Sequence, residues 1–268
     1  SFAPDTGATR PHLTLTYAQS LDGKIAGIRG KQLILSGPES MKATHILRSK
    51  HDAILVGIGT VLNDDPRLTV RLSDDDLPPG SDPVQHPQPI ILDGTLRFPL
   101  SAKLVLPSSP RKPWIFTSPV HDNQRRNEIE ALGAKVIVLD VDAQGWGDLS
   151  HVFSSASTYT PHIDPRTDEK RLAFGIGCYP GRLSIPDLLS KLHQQSIRSL
   201  MVEGGAGVVS SFLKSGLVDA FLLTVAPVYV GKDGISAVQD AEDAAKFEDI
   251  SYYTLGRDVM MIAKPRKG

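Results

Sequence analysis

The chain reads as an α/β fold, with a mostly parallel central sheet, helices on both faces and an antiparallel C-terminal hairpin. Three observations predict it. Short runs rich in Val, Ile and Leu, such as DAILVGIG (52–59), lack clean alternation, as strands covered on both faces do. Helix-like segments separate most of these runs. The last two strand candidates, AFLLTVAPVYV (220–230) and RDVMMIAK (257–264), are joined by a loop alone, so part of the sheet is antiparallel.

The elements follow in order. HLTLTYA (12–18) is the first strand, and Asp22-Gly23 then marks a turn whose simplest reading is a hairpin to KIAG. GPESMKATHILRSK (37–50) forms a helix after Ser36 and Gly37, and the strand at 52–59 follows it. PIILD (89–93), PWIFT (113–117) and AKVIVLD (134–140) are further strands, and HDNQRRNEIEALG is a helix ending at Gly133. IPDLLSKLHQQS follows Ser184 as an N-cap, with Pro186 in the first turn. SLMVEGG (199–205) is a strand, and AGVVSSFLKSG is a helix ending at Gly216. Residues 1–11 read as an N-terminal tail. The polar stretches 73–89 and 154–171 read as surface insertions in one domain spanning 1–268, with no internal repeat and no linker.

Composition narrows the function. The 268 residues are 40% hydrophobic and 22% charged, ordinary values for a soluble enzyme. With 29 Lys and Arg against 30 Asp and Glu the formal charge is −1, which argues against a general nucleic-acid binder. A single cysteine, Cys178, excludes an intramolecular disulfide and a multi-cysteine zinc site. No apolar run approaches the roughly 18 residues of a membrane span. The opening SFAPDTGATRPH has no basic-then-apolar signal pattern, so a cytoplasmic protein with no membrane partner is expected.

Chemistry concentrates in three places. In SLMVEGGAGVVSSFL (199–213) a strand ends at Glu203, and the glycines after it let backbone N–H groups approach a phosphate at the helix start. In TYAQSLDGKIAG (16–27), Lys24 follows a turn and by itself reads first as a solvated charge, with a ligand role as the second reading. In VGIGTVLNDDPRLTVR (56–71) a strand runs into a loop. There Gly57 and Gly59 allow close approach, Thr60 offers a hydroxyl, and Asp64 and Asp65 offer acceptors. Arg71 has a fork suited to phosphate, and Arg48 lies at the end of the preceding helix. The sequence lacks GxxxxGK[ST], GxSxG, HExxH and the zinc-deaminase signature, so no metal is expected and a non-covalently bound cofactor is.

Together, SLDGKIAG, ILRSKHDAILVGIGTVLNDDPRLTVR and LMVEGGAGVVSSFL resemble the riboflavin-pathway reductase family in its stand-alone form. The resemblance spans roughly residues 12 to 264, and G-x-x-T-V-L-x-D-D-P-x-L-T-V-R (57–71) is its most specific pattern. It implies a dihydrofolate-reductase-like fold, a homodimer, and NADPH as hydride donor with NADH as the alternative. The implied reaction reduces the ribosylamino C1′ of a phosphorylated pyrimidine substrate to a ribitylamino chain. Thr60 and Asp64 map to cofactor contacts, as do Gly204, Gly205, Ala206, Gly207 and Val208 at the glycine-rich turn. Gly175 and Ile176, in FGIGCY (174–179), map to a further strand end that touches the cofactor. Lys24, Arg48, Leu68, Arg71 and Glu203 map to the substrate, with Lys24 and Glu203 in catalytic roles. The segment RGKQLILSGPES (29–40) is offset by one residue from bacterial members, which leaves cofactor contacts around Gln32 to Ser36 unassigned, and the two insertions have no counterpart. Two other readings stay open: a dihydrofolate-reductase-like enzyme acting on a pterin, and a non-catalytic nucleotide sensor.

Overall fold

The computed structural model describes residues 8–28, 31–73, 76, 84–141, 182–238 and 245–266. The chain begins β1 (His12–Gln19), β2 (Lys24–Ala26), α1 (Pro38–Ser49), β3 (Ala53–Gly57) and α2 (Ile58–Asp64). It continues β4 (Gln88–Leu92), β5 (Trp114–Thr117), α3 (Asn123–Ala131), β6 (Lys135–Val138), α4 (Ile185–Gln194) and β7 (Ser199–Glu203). It closes with α5 (Ala206–Lys214), β8 (Ala220–Val225), β9 (Ile235–Ser236), β10 (Phe247–Leu255) and β11 (Asp258–Pro265).

Among the described residues nine strands form one sheet in the order β10-β11-β8-β1-β7-β3-β4-β5-β6. Neighbours from β8 to β6 pair in parallel. At the other end β11 runs antiparallel to β8, and β10 antiparallel to β11. The near-continuous apolar runs are explained by β3: Ala53 and Leu55 enter one core cluster, Ile54 and Val56 a second. Successive side chains point to opposite faces, and both faces are covered. Leu188 and Leu192 of α4 and Val209 and Phe212 of α5 cover one face. Ile58 and Val61 of α2 and Ile129 of α3 cover the other.

The expected caps form at Ser184, Gly133 and Gly216. Ser184 Oγ accepts from the Asp187 N–H at 3.4 Å, and Asp122, not foreseen in the sequence, caps α3. Gly133 and Gly216 end their helices at φ of 85° and 65°, a left-handed turn that costs glycine little.

Four elements differ from the sequence reading. The strand at 52–59 stops at Gly57, because Ile58 and Val61, three apart, bury the same side of a helix instead. The Asp22-Gly23 turn forms, with Gly23 N–H donating to the Ser20 carbonyl at 3.0 Å. It makes no hairpin to β1; β2 pairs with β9, with Lys24 opposite Ser236. Gln88 and Pro89 belong to β4 rather than to an insertion. The two last strand candidates do pair, as β8 and β11. Between them in sequence, and beyond β11 in the sheet, lies β10, whose FEDISYYTL is exposed along most of its length and so carries no core pattern.

The topology itself opens a site. β3 and β7 are neighbours, yet the helix after β3 packs on one face and the helix after β7 on the other. The chain therefore parts at their carboxyl ends and leaves a crevice, the usual ligand position in a parallel sheet. No helix among the described residues is long and apolar enough to cross a membrane.

Candidate active site

A cavity of about 810 Å³ fills this crevice, floored by strand ends at Tyr17, Leu92, Glu203 and Thr224. That volume suits a nucleotide-sized ligand. Beside it lies a second cavity of about 450 Å³, rimmed by Arg67, Leu68, Arg71 and Lys103. Arg48, Thr60, Asp64, Glu203 and Gly204 line both, so the two spaces share a wall.

The larger cavity has the features of a dinucleotide seat. The turn Gly204-Gly205 leads into α5, whose N-terminus carries no side-chain cap and leads with backbone N–H groups. A side chain at Gly204 would place its Cβ 2.9 Å from Val209 Cγ2. At Gly57 a Cβ would lie 2.8 Å from Val208 Cγ2, so the β3–α2 and β7–α5 turns interlock through their glycines. Thr60 Oγ1 lies 3.6 Å from where a Cβ of Gly205 would be, which sets its hydroxyl beside the turn. Gly207 faces open space on the cavity side. Uncapped N–H groups, a hydroxyl and a surface bare of side chains together fit a nicotinamide dinucleotide.

The shared wall is built on an ion pair. Arg48 Nε donates to Glu203 Oε1 and Arg48 Nη2 to Oε2, both at 2.7 Å, while Nη1 donates to the Thr69 carbonyl at 3.1 Å. Burial alone lowers the Arg48 pKa, but the charge and hydrogen bonds of Glu203 outweigh it and leave the pKa raised. Arg71 is held differently. Its Nε and its backbone N each lie 3.2 Å from a ring nitrogen of the buried His45, and no ion pair forms on it among the described residues.

The paired carboxylates divide their work. Burial raises the Asp64 pKa, so this side chain in the shared wall holds a proton more readily than a free carboxylate. Asp65 serves structure: it ends α2 at φ 42°, and its Oδ1 accepts from the Lys103 N–H at 2.9 Å. Leu68 is buried at φ 52°, a left-handed conformation costing a non-glycine residue about 1 kcal/mol. The two unusual turns bend the chain back so that Leu68 and Arg71 both reach the smaller cavity.

The structure thus gathers Thr60, Asp64, Gly204, Gly205, Ala206, Gly207, Val208, Arg48 and Glu203 on the larger cavity, and Leu68 and Arg71 on the smaller. Lys24 lines neither. Its Nζ donates to Ser236 Oγ at 2.9 Å, while its neighbours Ile25 and Ala26 face the larger cavity. Gly175 and Ile176, like Cys178 and the 154–171 insertion, lie outside the described residues. Gln32 and Ser36 bound the stretch whose cofactor contacts the one-residue offset left unassigned, and His45 was missed. Gln32 and Ser36 line the larger cavity from the offset segment before α1, where no periodicity marks them. His45 had a signal, since it stands three residues before Arg48 on the same helical face. Among the described residues no group of three or more His, Cys, Asp or Glu is placed to hold a metal.

Known proteins share this arrangement of sequence and fold. The family model for the RibD C-terminal domain matches residues 11–261. The 2,5-diamino-6-ribosylamino-4(3H)-pyrimidinone 5′-phosphate reductase of Debaryomyces hansenii is 33% identical over 238 residues, 87% of this chain and 82% of that protein. The riboflavin biosynthesis protein RibD of Aquifex aeolicus is 30% identical over 259 residues, 95% of this chain. The match covers 58% of the Aquifex protein, a little over half its length. In structure, RibD of Acinetobacter baumannii aligns with a TM-score of 0.69 at 22% identity, over 97% of this chain and 59% of that one. The riboflavin biosynthesis reductase of Saccharomyces cerevisiae aligns with a TM-score of 0.66 at 24% identity, over 98% and 93%. By sequence, the chain belongs to the family of the RibD C-terminal domain.

Proposed function

We propose that this chain reduces 2,5-diamino-6-ribosylamino-4(3H)-pyrimidinone 5′-phosphate to its ribitylamino form, with NADPH as electron donor. One observation carries the reading: a nucleotide-sized cavity shares a wall with a smaller cavity rimmed by Arg67 and Arg71, on which no ion pair forms among the described residues, with Lys103 beside them paired to Asp65. A pterin gives that basic rim no partner, whereas a 5′-phosphate does. The relatives' names point to the same substrate.

When bound in the larger cavity, the reduced nicotinamide supplies a hydride to C1′ of the opened sugar. The protein's own residues position, hold protons and exclude water. The C1′–O4′ bond breaks as the proton of the exocyclic nitrogen passes to O4′, which leaves as a hydroxyl, and the imine nitrogen so formed takes up one further proton. Asp64, its pKa raised by burial in the shared wall, is the residue best suited to hand over that proton. Glu203, locked by Arg48, presents fixed carboxylate oxygens to sugar hydroxyls. Arg71 anchors the phosphate. Arg48, with its charge matched by Glu203, acts mainly by holding that carboxylate. Lys24 joins only by exchanging its Ser236 bond for a sugar hydroxyl; unchanged turnover and KM in Lys24→Met would remove it from the scheme.

Arg182 supports NADPH over NADH. It lines the larger cavity, and its neighbours Leu183 and Ser184 pair with Val141 and Asp140 just beyond β6. β6 stands four strands from β7 in the sheet order. That is on the order of 19 Å, comparable to the reach of an extended dinucleotide from nicotinamide to adenosine. A homodimer is part of the proposal. The edge strand β10 exposes Ile250, Tyr252 and Tyr253, and an unpaired edge of this kind favours pairing with a second copy. Sedimentation equilibrium tests it.

The activity is tested by mixing the protein, NADPH and the ribotide. Oxidation of one NADPH per ribotide, with a mass gain of two hydrogens, supports the reductase. Binding without oxidation supports the nucleotide sensor, and oxidation with a dihydropterin alone supports the pterin enzyme.

A further inference from the structure

We propose that His45 is a positioning residue that aims Arg71 at the substrate phosphate without cancelling its charge. The proposal rests on reading the smaller cavity as the phosphate site, and the contrast between the two arginines carries it. Arg48 is gripped on two nitrogens by the carboxylate of Glu203, which neutralises it. Arg71 is gripped through Nε by an imidazole at 3.2 Å, and it remains exposed on the rim of the smaller cavity. A carboxylate partner would fix the guanidinium and spend its charge; a neutral imidazole fixes it and leaves the charge for an anion.

The ring has to be neutral and in one tautomer. Both its nitrogens lie 3.2 Å from Arg71 donors, Nδ1 from the backbone N and Nε2 from the side-chain Nε. A neutral imidazole has one lone pair in its plane, so only one contact is an accepted hydrogen bond. The Thr69 carbonyl also takes a hydrogen bond from the ring. The Arg71 backbone N–H points at Nδ1 and its Nε–H at Nε2, and a neutral ring accepts only one of the two; we assign the lone pair to Nε2, so that Nδ1 carries the proton given to the Thr69 carbonyl and the Arg71 backbone N–H finds no acceptor on the ring. Burial first, then the charges of Arg48 and Arg71, hold the His45 pKa down to about 4, against smaller opposing effects of Glu203 and the Thr69 carbonyl. A pKa of about 4 keeps the ring neutral near pH 7.

The test is steady-state kinetics with the phosphorylated ribotide on His45→Ala, His45→Gln, His45→Asn, Arg71→Ala and the double variant His45→Ala/Arg71→Ala. His45→Ala raises KM about tenfold or more, the scale of one hydrogen bond to a charged group, with kcat little changed. Gln can place an acceptor near the Nε2 position and restores KM; Asn reaches only the Nδ1 position and does not. In the Arg71→Ala background, His45→Ala adds nothing, because the residue acts only through that arginine. Restoration by Asn and not Gln would overturn the proposal, and so would multiplied KM losses in the double variant or a fall in kcat alone. An unchanged KM in Arg71→Ala itself would overturn the phosphate reading, and the proposal with it. If His45→Ala does not fold, the comparison of Gln with Asn decides alone.

Discussion

The guanidinium of Arg48 and the carboxylate of Glu203, 155 residues apart in the chain, meet in a two-pronged hydrogen bond of 2.7 Å and 2.7 Å. One comes from the end of α1 and the other from the last residue of β7, so the pair pins a helix to the sheet where two cavities join. The side chains are only 13% and 20% exposed, which makes each costly to leave alone.

Removing one partner should therefore be worse than the loss of two hydrogen bonds suggests. Glu203→Ala strands a buried cation and should cost about 3 kcal/mol of stability, or roughly 6–12 °C in Tm. Glu203→Gln keeps one acceptor oxygen and should retain most of the stability, while turnover falls roughly 100-fold because the fixed charge is gone. Thermal melts and NADPH-oxidation rates on the two variants check both.

Gly204 and Gly207 sit three residues apart and should respond oppositely. A methyl at Gly204 collides with Val209 and has to displace the first turn of α5, so Gly204→Ala should lose about 1–3 kcal/mol along with cofactor affinity. Gly207 has nothing within 4 Å of a new Cβ. Gly207→Ala should gain up to about 0.5–1 kcal/mol as a helix residue while weakening NADPH binding about tenfold, because the methyl enters the phosphate seat. Calorimetric binding beside chemical denaturation separates stability from affinity.

Arg182→Ala should divide the two nicotinamide donors. If Arg182 meets the 2′-phosphate, KM for NADPH rises about tenfold or more and KM for NADH stays where it was. Equal effects on both would assign Arg182 to general cavity structure, and no effect on either would leave it outside the cofactor site.

Acid should unfold the protein partly through His45. The folded ring has a pKa of about 4 against an ordinary 6.5, so the unfolded chain takes up a proton that the folded one refuses. The contribution of the neutral ring is complete above pH about 6.5 and is lost as pH falls toward about 4. His12 and His51, also held down mainly by burial, act in the same direction. Urea titrations between pH about 7 and about 5 should show stability falling by about 1 kcal/mol per pH unit for each fully coupled group. His45→Gln should flatten that slope.

Much of this was legible in the chain, and what was hidden has physical reasons. The parallel strands announced themselves because both faces are covered, and a run such as AILV can be little else between two turns. The helix Ile58–Asp64 was hidden because Gly57 and Gly59 weaken a helical reading, while Ile58 continues the apolar run before it. β10 was hidden because an exposed edge strand has no buried face to pattern it. Thr60, Asp64, Arg71 and the glycines of the β7–α5 turn were readable from local motifs. That Arg48 belongs chiefly to Glu203, and Arg71 to His45, was not, since hydrogen bonds across 155 and 26 residues leave no local trace.

The central claim is that hydride passes from reduced nicotinamide to C1′ of a phosphorylated sugar where the two cavities join. The most direct measurement uses NADPH deuterated at nicotinamide C4 and locates the label in the product by NMR. The account predicts a single deuterium at C1′ of the ribityl chain, with transfer lost in Glu203→Ala. Label at any other carbon, or oxidation of the cofactor with no label in the product, would contradict it.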